Sequence, residues 1–330
     1  MPFAAFLGVT AYLEQATNAG MRFLDRYGGG LFGRDHEHLC LKARAKINLA
    51  LDVCRKRPDG YHELKTVMQT VALYDNLYIK KVHKDNYLKL VTNLSFLPND
   101  HKNIVYKAAK ALIDHFNIQE GVFIQLQKNI PVSAGLGGGS ADCAATLIGM
   151  RNLFYLPMSL TDLAEKGREL GADVPFCVMR GTALAEGIGE RLTRLSPMPN
   201  CYIVLAKPQV IVSTAEVFKS FDFDKVKERP DTDQLIFHIG KGDLKGICRQ
   251  MKNSLESVTA ENYPIIYSLK EALLECGAEG AMMSGSGPTV FGLFSSPGRA
   301  RSACASIKDK FPDVHDIILT RTFNVKACSR

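Results

Sequence analysis

From Leu41 onward apolar and polar positions alternate at two-residue spacing. Leu41, Ala43, Ala45, Ile47, Leu49 and Leu51 fall on one side, and Lys42, Arg44, Lys46, Asn48, Ala50 and Asp52 on the other. That period predicts a strand with an apolar face turned inward and a largely basic face turned outward, Lys46 and Asn48 sharing a side. A turn follows at Pro58-Asp59-Gly60. Residues 103–116 carry helical spacing. Residues 121–127 alternate again, with Val122, Ile124 and Leu126 on one face. Residues 140–154 are apolar almost all round, as in a buried helix. Ser159-Leu160-Thr161-Asp162 has the form of a capping box, and Gly171 is expected to end that helix in the left-handed conformation.

The second half continues the mixed pattern. Residues 201–206 read as a strand, and Ser213 or Thr214 caps a short helix carrying Val217 and Phe218. Residues 267–276 form a helix closed by Gly277. Residues 281–283 and 290–294 are strands joined through the Ser284–Pro288 turn. Prolines near 195–200 mark a boundary. The expected organisation is an extension over residues 1–38, a first domain over 39–196 and a second over 197–330. Within the extension, residues 1–20 have the makings of a loose amphipathic helix, and Gly28–Gly30 with Gly33 read as a linker. It lacks the marks of a secretory or transit signal and is expected to be a start-site addition or a local decoration.

Bulk properties narrow the classes. With 330 residues, 46% of them apolar and 23% charged, the chain is long enough for two packed domains. No stretch approaches the roughly eighteen apolar residues of a membrane span. The net charge of +7 favours anionic partners, but the basic residues are scattered rather than gathered, which argues against nucleic acid. None of the nine cysteines is paired as C-x-x-C, and no Cys/His group has zinc spacing. Reduced thiols in a cytoplasmic protein, most of them small core fillers, are the expectation. The oligomeric state is left open.

Candidate chemistry concentrates in Pro131-Val132-Ser133-Ala134-Gly135-Leu136-Gly137-Gly138-Gly139-Ser140-Ala141-Asp142. Four glycines in five residues let backbone N–H groups converge on one point, and a helix starts directly after them. Strand, glycine loop and helix N-terminus together make a phosphate cradle. The terminal Lys-Ser/Thr of a P-loop is missing, and the spacing is not that of a dinucleotide fingerprint. A second loop, Ser284-Gly285-Ser286-Gly287-Pro288-Thr289, is by itself equally compatible with a simple hairpin turn.

Three blocks give the chain a family resemblance. They are Ala45–Leu49 followed by Arg57–Glu63; Ile130–Ala145 continuing to Leu170–Pro175; and Met283–Thr289. Together they resemble the GHMP kinases, over nearly the whole chain from about Leu39. The Asp59-Gly60-Tyr61-His62 stretch is similar to members whose acceptor is 4-diphosphocytidyl-2-C-methyl-D-erythritol. The resemblance implies an α+β, two-domain fold: an N-terminal α/β nucleotide-binding domain, a C-terminal ferredoxin-like domain, and the active site between them. It implies transfer of the γ-phosphate of ATP, with Mg²⁺, to the acceptor's 2-hydroxyl in non-mevalonate isoprenoid precursor synthesis.

The same resemblance distributes roles. Asp173 corresponds to the general base and Lys46 to its partner, an ammonium that keeps the carboxylate ionised and offsets charge on the moving phosphoryl group. Pro131, Gly135, Leu136, Gly137, Gly138, Gly139, Ser140 and Ala141 would hold the ATP phosphates, with Ser140 also a metal ligand; no acidic metal ligand is assigned. Asn103 and Lys128 fall near the nucleotide. Asn48, Tyr61, His62, Thr214 and Phe218 fall to the acceptor, Tyr61 and His62 on its cytosine, and Gly285, Ser286 and Gly287 form the second loop. Arg44 stands where the family usually has Pro, and Ala141 where a second Ser is common. The competing readings are a non-catalytic nucleotide-binding or regulatory protein of this fold, which Lys46 with Asp173 argues against, and a kinase for another alcohol, which Tyr61-His62 argues against.

Overall fold

The computed structural model describes residues 37–226 and 228–325. The expected helix in residues 1–20 and the linker at Gly28–Gly33 lie outside the described residues, as does Lys227.

The first sheet is built around two long antiparallel strands, β1 (His38–Lys56) and β2 (His62–Val82). Along its other edge β2 pairs in succession with β5 (Thr182–Gly187) and β4 (Gly121–Gln127). The sheet is completed by β3 (Leu88–Thr92), parallel to β4, and β6 (Arg191–Arg194), antiparallel to β5. Against it lie α1 (Ile104–Phe116), α2 (Gly138–Leu153), α3 (Leu160–Arg168) and α4 (Val174–Met179). Their contacts form one apolar core that includes Ile79, Leu112, Ile124, Leu147, Met150 and Phe176. Asn103 caps α1 by accepting from the Val105 N–H, and Ser159 with Asp162 forms the anticipated capping box on α3.

The second sheet has the order β10-β7-β9-β8, from β7 (Tyr202–Lys207), β8 (Gly280–Met283), β9 (Val290–Phe294) and β10 (Asp316–Arg321). Two helices, α9 (Ile265–Glu275) and α10 (Pro297–Lys310), cover one face. Strand order 4-1-3-2 with one covering helix in each half is the ferredoxin-like plan. Four short helices are inserted after β7: α5 (Thr214–Lys219), α6 (Thr232–Lys241), α7 (Leu244–Gln250) and α8 (Glu256–Asn262). The expected boundary at residue 196/197 falls in the coil between β6 and β7.

Alternation along β9 explains how the halves join. Val290 and Phe294 face α9 and α10, while Phe291 and Leu293 face the other way, into an apolar cluster with Ala45, Ile47 and Leu49 of β1. The apolar side of β1 is therefore sealed by the second sheet. Phe291 is fully buried there. Phe291→Ala is expected to cost about 3–5 kcal/mol of unfolding free energy, measured by urea denaturation.

Two expectations are corrected. The basic side of β1 was expected to face outward, yet Lys46 and Asn48 are 5% and 2% exposed, because the glycine loop lies over them. The Lys46 N–H donates to the Leu136 carbonyl at 2.9 Å. Gly171 was expected to end α3 in the left-handed conformation. It is absent from the residues with positive φ; its N–H donates to Gly167 and its carbonyl accepts from Val174, so the chain keeps a right-handed turn that runs into α4.

Candidate active site

The register between β1 and β2 shifts between Arg44 and Lys46 and again between Asn48 and Ala50. Such irregularities re-aim side chains, and here they bracket Lys46-Ile47-Asn48. The Lys46 ammonium donates to Asn48 Oδ1 at 2.9 Å and stands 3.2 Å from Asp173 Oδ2. Asn48 Nδ2 donates to Thr66 Oγ1 (2.8 Å), and that hydroxyl donates to the Ala50 carbonyl (2.6 Å). This chain fixes the amide with its oxygen toward the ammonium. Asp173 is the residue before α4, but its carboxylate makes no capping bond. With a side chain 34% exposed, it remains open to the cleft while Lys46 is buried behind it.

The glycine loop closes over this pair. Gly135 and Gly137 have φ of +73° and +66°, values that favour glycine. Gly137 opens α2 with no side-chain capping bond, so the helix N-terminus meets the cleft with backbone donors alone. A Cβ at Gly137 would stand 2.9 Å from Lys46 Cγ, so the loop rests on the lysine stem. A Cβ at Gly171 would lie 3.8 Å from Ser140 Oγ, which places that first-turn hydroxyl beside the segment carrying Asp173.

The second glycine loop meets the first. Ser284 Oγ donates to the Gly135 carbonyl at 2.9 Å. Asn253 Nδ2 donates to the carbonyls of Met283 (2.9 Å) and Gly285 (2.8 Å), and Thr259 Oγ1 to that of Ser286 (3.1 Å). The hydroxyls of Thr214 and Ser286 are 2.8 Å apart. More than the turn of a hairpin, this loop forms one wall of a cleft of about 670 Å³ whose lining includes Lys46, Asp173, Pro131, Asn103, Thr214 and Phe218.

At the Phe218 end of the cleft His62 stacks on Phe218 with centroids 5.5 Å apart, and Phe221 and Phe223 complete the aromatic group. Partial burial, with the charge of Lys56, holds the His62 imidazole below its usual pKa and favours its neutral form. Tyr61 is set apart: it is 61% exposed and, like His62, is not part of the cleft lining. Ala141 and Gly287 are likewise outside the lining; Ala141 is buried in α2.

Sequence reasoning placed Lys128 near the nucleotide but missed its partners. Its ammonium bridges Asp75 of β2 and Asp142 of α2, with 2.7 Å to Asp142 Oδ2. Asp75 Oδ1 also accepts the N–H groups of Asn129 (2.5 Å) and Ile130 (2.8 Å). Burial opposes the Lys128 charge, but the two carboxylates outweigh it and raise its pKa. Burial, aided by Asp75, pushes the Asp142 carboxyl well above the usual range despite Lys128. The one available signal was Asp142 as the single acidic residue of a largely apolar helix.

Matches to known proteins follow this geometry. Residues 103–181 match the GHMP kinases N terminal domain, and residues 237–313 the GHMP kinases C terminal domain. The 4-diphosphocytidyl-2-C-methyl-D-erythritol kinase of Caldicellulosiruptor saccharolyticus is 48% identical over 284 residues, spanning 86% of this chain and 97% of the relative. The chain belongs to the GHMP kinases. A crystal structure of 4-(cytidine 5'-diphospho)-2C-methyl-D-erythritol kinase superposes on this GHMP kinase with a TM-score of 0.74 and 30% identity, covering 87% of this chain and all of the other. Homoserine kinase from Cytophaga hutchinsonii shares the fold (TM-score 0.71, 20% identity, 90% and 98% coverage). Among the described residues of the kinase, no helix is long and apolar enough to cross a membrane.

Proposed function

We propose that this kinase transfers the γ-phosphoryl group of ATP to the 2-hydroxyl of 4-diphosphocytidyl-2-C-methyl-D-erythritol, giving the 2-phosphate for isoprenoid precursor synthesis in the cytoplasm. The observation that carries the reading is the Lys46–Asp173 pair, 3.2 Å apart, beneath a lysine-free glycine loop. The names of the relatives and the aromatic group at His62 and Phe218 support the acceptor.

The backbone donors of residues 135–140 receive the phosphates, and Asn103 and Pro131 line the nucleotide side. Asp173 takes the hydroxyl proton as the oxygen attacks phosphorus. Lys46 stabilises that carboxylate and the charge on the equatorial oxygens. Asn48, with its amide fixed by Thr66, orients the diol. The stacked pair His62 and Phe218 offers an aromatic surface to the cytosine, and exposed Tyr61 is a second ring able to stack on it.

Mg²⁺ fits this site as part of the nucleotide. The Ser140 hydroxyl, beside the Asp173 segment, offers a neutral oxygen, and no trio of His, Cys, Asp or Glu that could hold a metal by itself occurs among the described residues. When bound, the ion would neutralise phosphate charge. The domain division at residues 39–196 and 197–330 belongs to the same reading.

An ADP-release assay tests it, comparing the cytidylylated acceptor with the same polyol phosphate lacking the cytidylyl group. Turnover is expected with the first alone. Faster phosphorylation of mevalonate or homoserine would replace the acceptor, and nucleotide binding without any turnover would favour a non-catalytic role.

A further inference from the structure

Lys128 was expected to lie near the nucleotide, where an ammonium would ordinarily pair with phosphate. It lines the cleft, but its ammonium is held between two carboxylates, and its side chain is 5% exposed. The three charges sum to −1 when both carboxylates are ionised, so the group adds no net attraction for a polyphosphate. Its placement suggests another task. Asp75 comes from β2, Lys128 from the exit of β4, and Asp142 from the first turns of α2. These segments flank the glycine loop on its entry and exit sides. Asp75 Oδ1 also receives both N–H groups, Asn129 and Ile130, of the two residues that lead into the loop. A Cβ at Gly138 would stand 3.3 Å from Lys128 Nζ, so the ammonium lies directly under the first residue of α2.

We propose that Asp75, Lys128 and Asp142 are positioning residues that clamp the two ends of the glycine loop, setting the backbone donors that receive the nucleotide phosphates. Lys128 and Asp142 also line the cleft on the side of Asn103 and Pro131, so the clamp is expected to act on the nucleotide and to leave the acceptor side untouched. Directional bonds suit this task better than apolar packing, which holds volume but not the angle of an N–H group.

The inference rests on the nucleotide reading of the loop. The test therefore begins with ADP binding to the wild-type full chain by calorimetry, since failure there removes the nucleotide reading itself. Given wild-type binding, Lys128→Met is expected to weaken ADP at least about 10-fold and to raise the KM for ATP in parallel. The acceptor KM and the kcat at saturating ATP are expected to change less than about threefold. Because Lys128→Met leaves two buried carboxylates uncompensated and endangers folding, the double variant Lys128→Met/Asp142→Leu is measured beside it. A buried ion pair replaced by apolar groups often regains stability. The double variant, in which Asp75 loses its cation but keeps two backbone N–H donors, is expected to recover part of the lost Tm and yet still bind ADP at least about 10-fold more weakly. Recovery of Tm together with wild-type ADP affinity would make the triad a stability element and overturn the proposal. So would an equal rise in the acceptor KM.

Discussion

Asp173→Asn is expected to lower kcat by about 10³-fold, within the range for loss of a general acid–base group. The substitution keeps size and shape but removes the proton acceptor. Lys46 loses one partner at 3.2 Å and keeps the Asn48 oxygen at 2.9 Å, so the ammonium stays in place. The glycine loop does not bond to the Asp173 carboxylate, and nucleotide affinity should therefore change less than twofold. Single-turnover kinetics with a separate nucleotide titration would check both halves. If turnover is retained, Asp173 is not the base. The pair would then work by electrostatics alone, which the loose transition state of phosphoryl transfer permits.

Gly135→Ala is the second large expected effect, and its mechanism differs. Gly135 has a φ of +73°, and a Cβ there would lie 2.2 Å from the Ser284 carbonyl oxygen and 2.9 Å from that of Gly287. Both neighbours are backbone, so neither moves cheaply. The left-handed conformation alone costs an L-residue about 1–2 kcal/mol. The two glycine loops must separate, and kcat/KM should fall at least about 100-fold, with nucleotide and acceptor both bound more weakly and Tm lowered. Gly137→Ala is the instructive contrast. Its new methyl would meet the flexible stem of Lys46 at 2.9 Å, so its loss should appear mainly in kcat. Steady-state kinetics and thermal unfolding of both variants distinguish a breached loop contact from a displaced ammonium.

Local chemistry was legible where a short run of residues dictates it. Ser159 with Asp162 announced a helix start, and the glycine run announced a loop feeding α2, because capping and positive φ are decided within a few residues. The alternation from Leu41 revealed β1 but not what covers its polar side: period two separates faces without saying whether water or a loop lies beyond. Gly171 misled because glycine is merely permitted the left-handed conformation. Its carbonyl is used by Val174, and that bond keeps the turn right-handed. Asp75 and Asp142 left no joint signal, since residues 67 positions apart meet only after β2, β4 and α2 have packed. The resemblance supplied Lys46 and Asp173 as partners, which alternation and spacing had not linked. It also brought in Tyr61, which the structure leaves exposed and outside the cleft lining.

The contact between the two glycine loops also has a thermodynamic meaning. The helix bearing Phe218 begins at Thr214, whose hydroxyl meets Ser286; the same loop donates from Ser284 to Gly135. The aromatic end of the cleft and the first glycine loop are thus joined through two hydrogen bonds and the backbone of the second loop. Whatever factor the acceptor contributes to nucleotide affinity through that path, the nucleotide must return to the acceptor, because linkage is reciprocal. An acceptor affinity measured without nucleotide is then a property of half a site, and ligands that span both ends should gain from each end's ordering of the other.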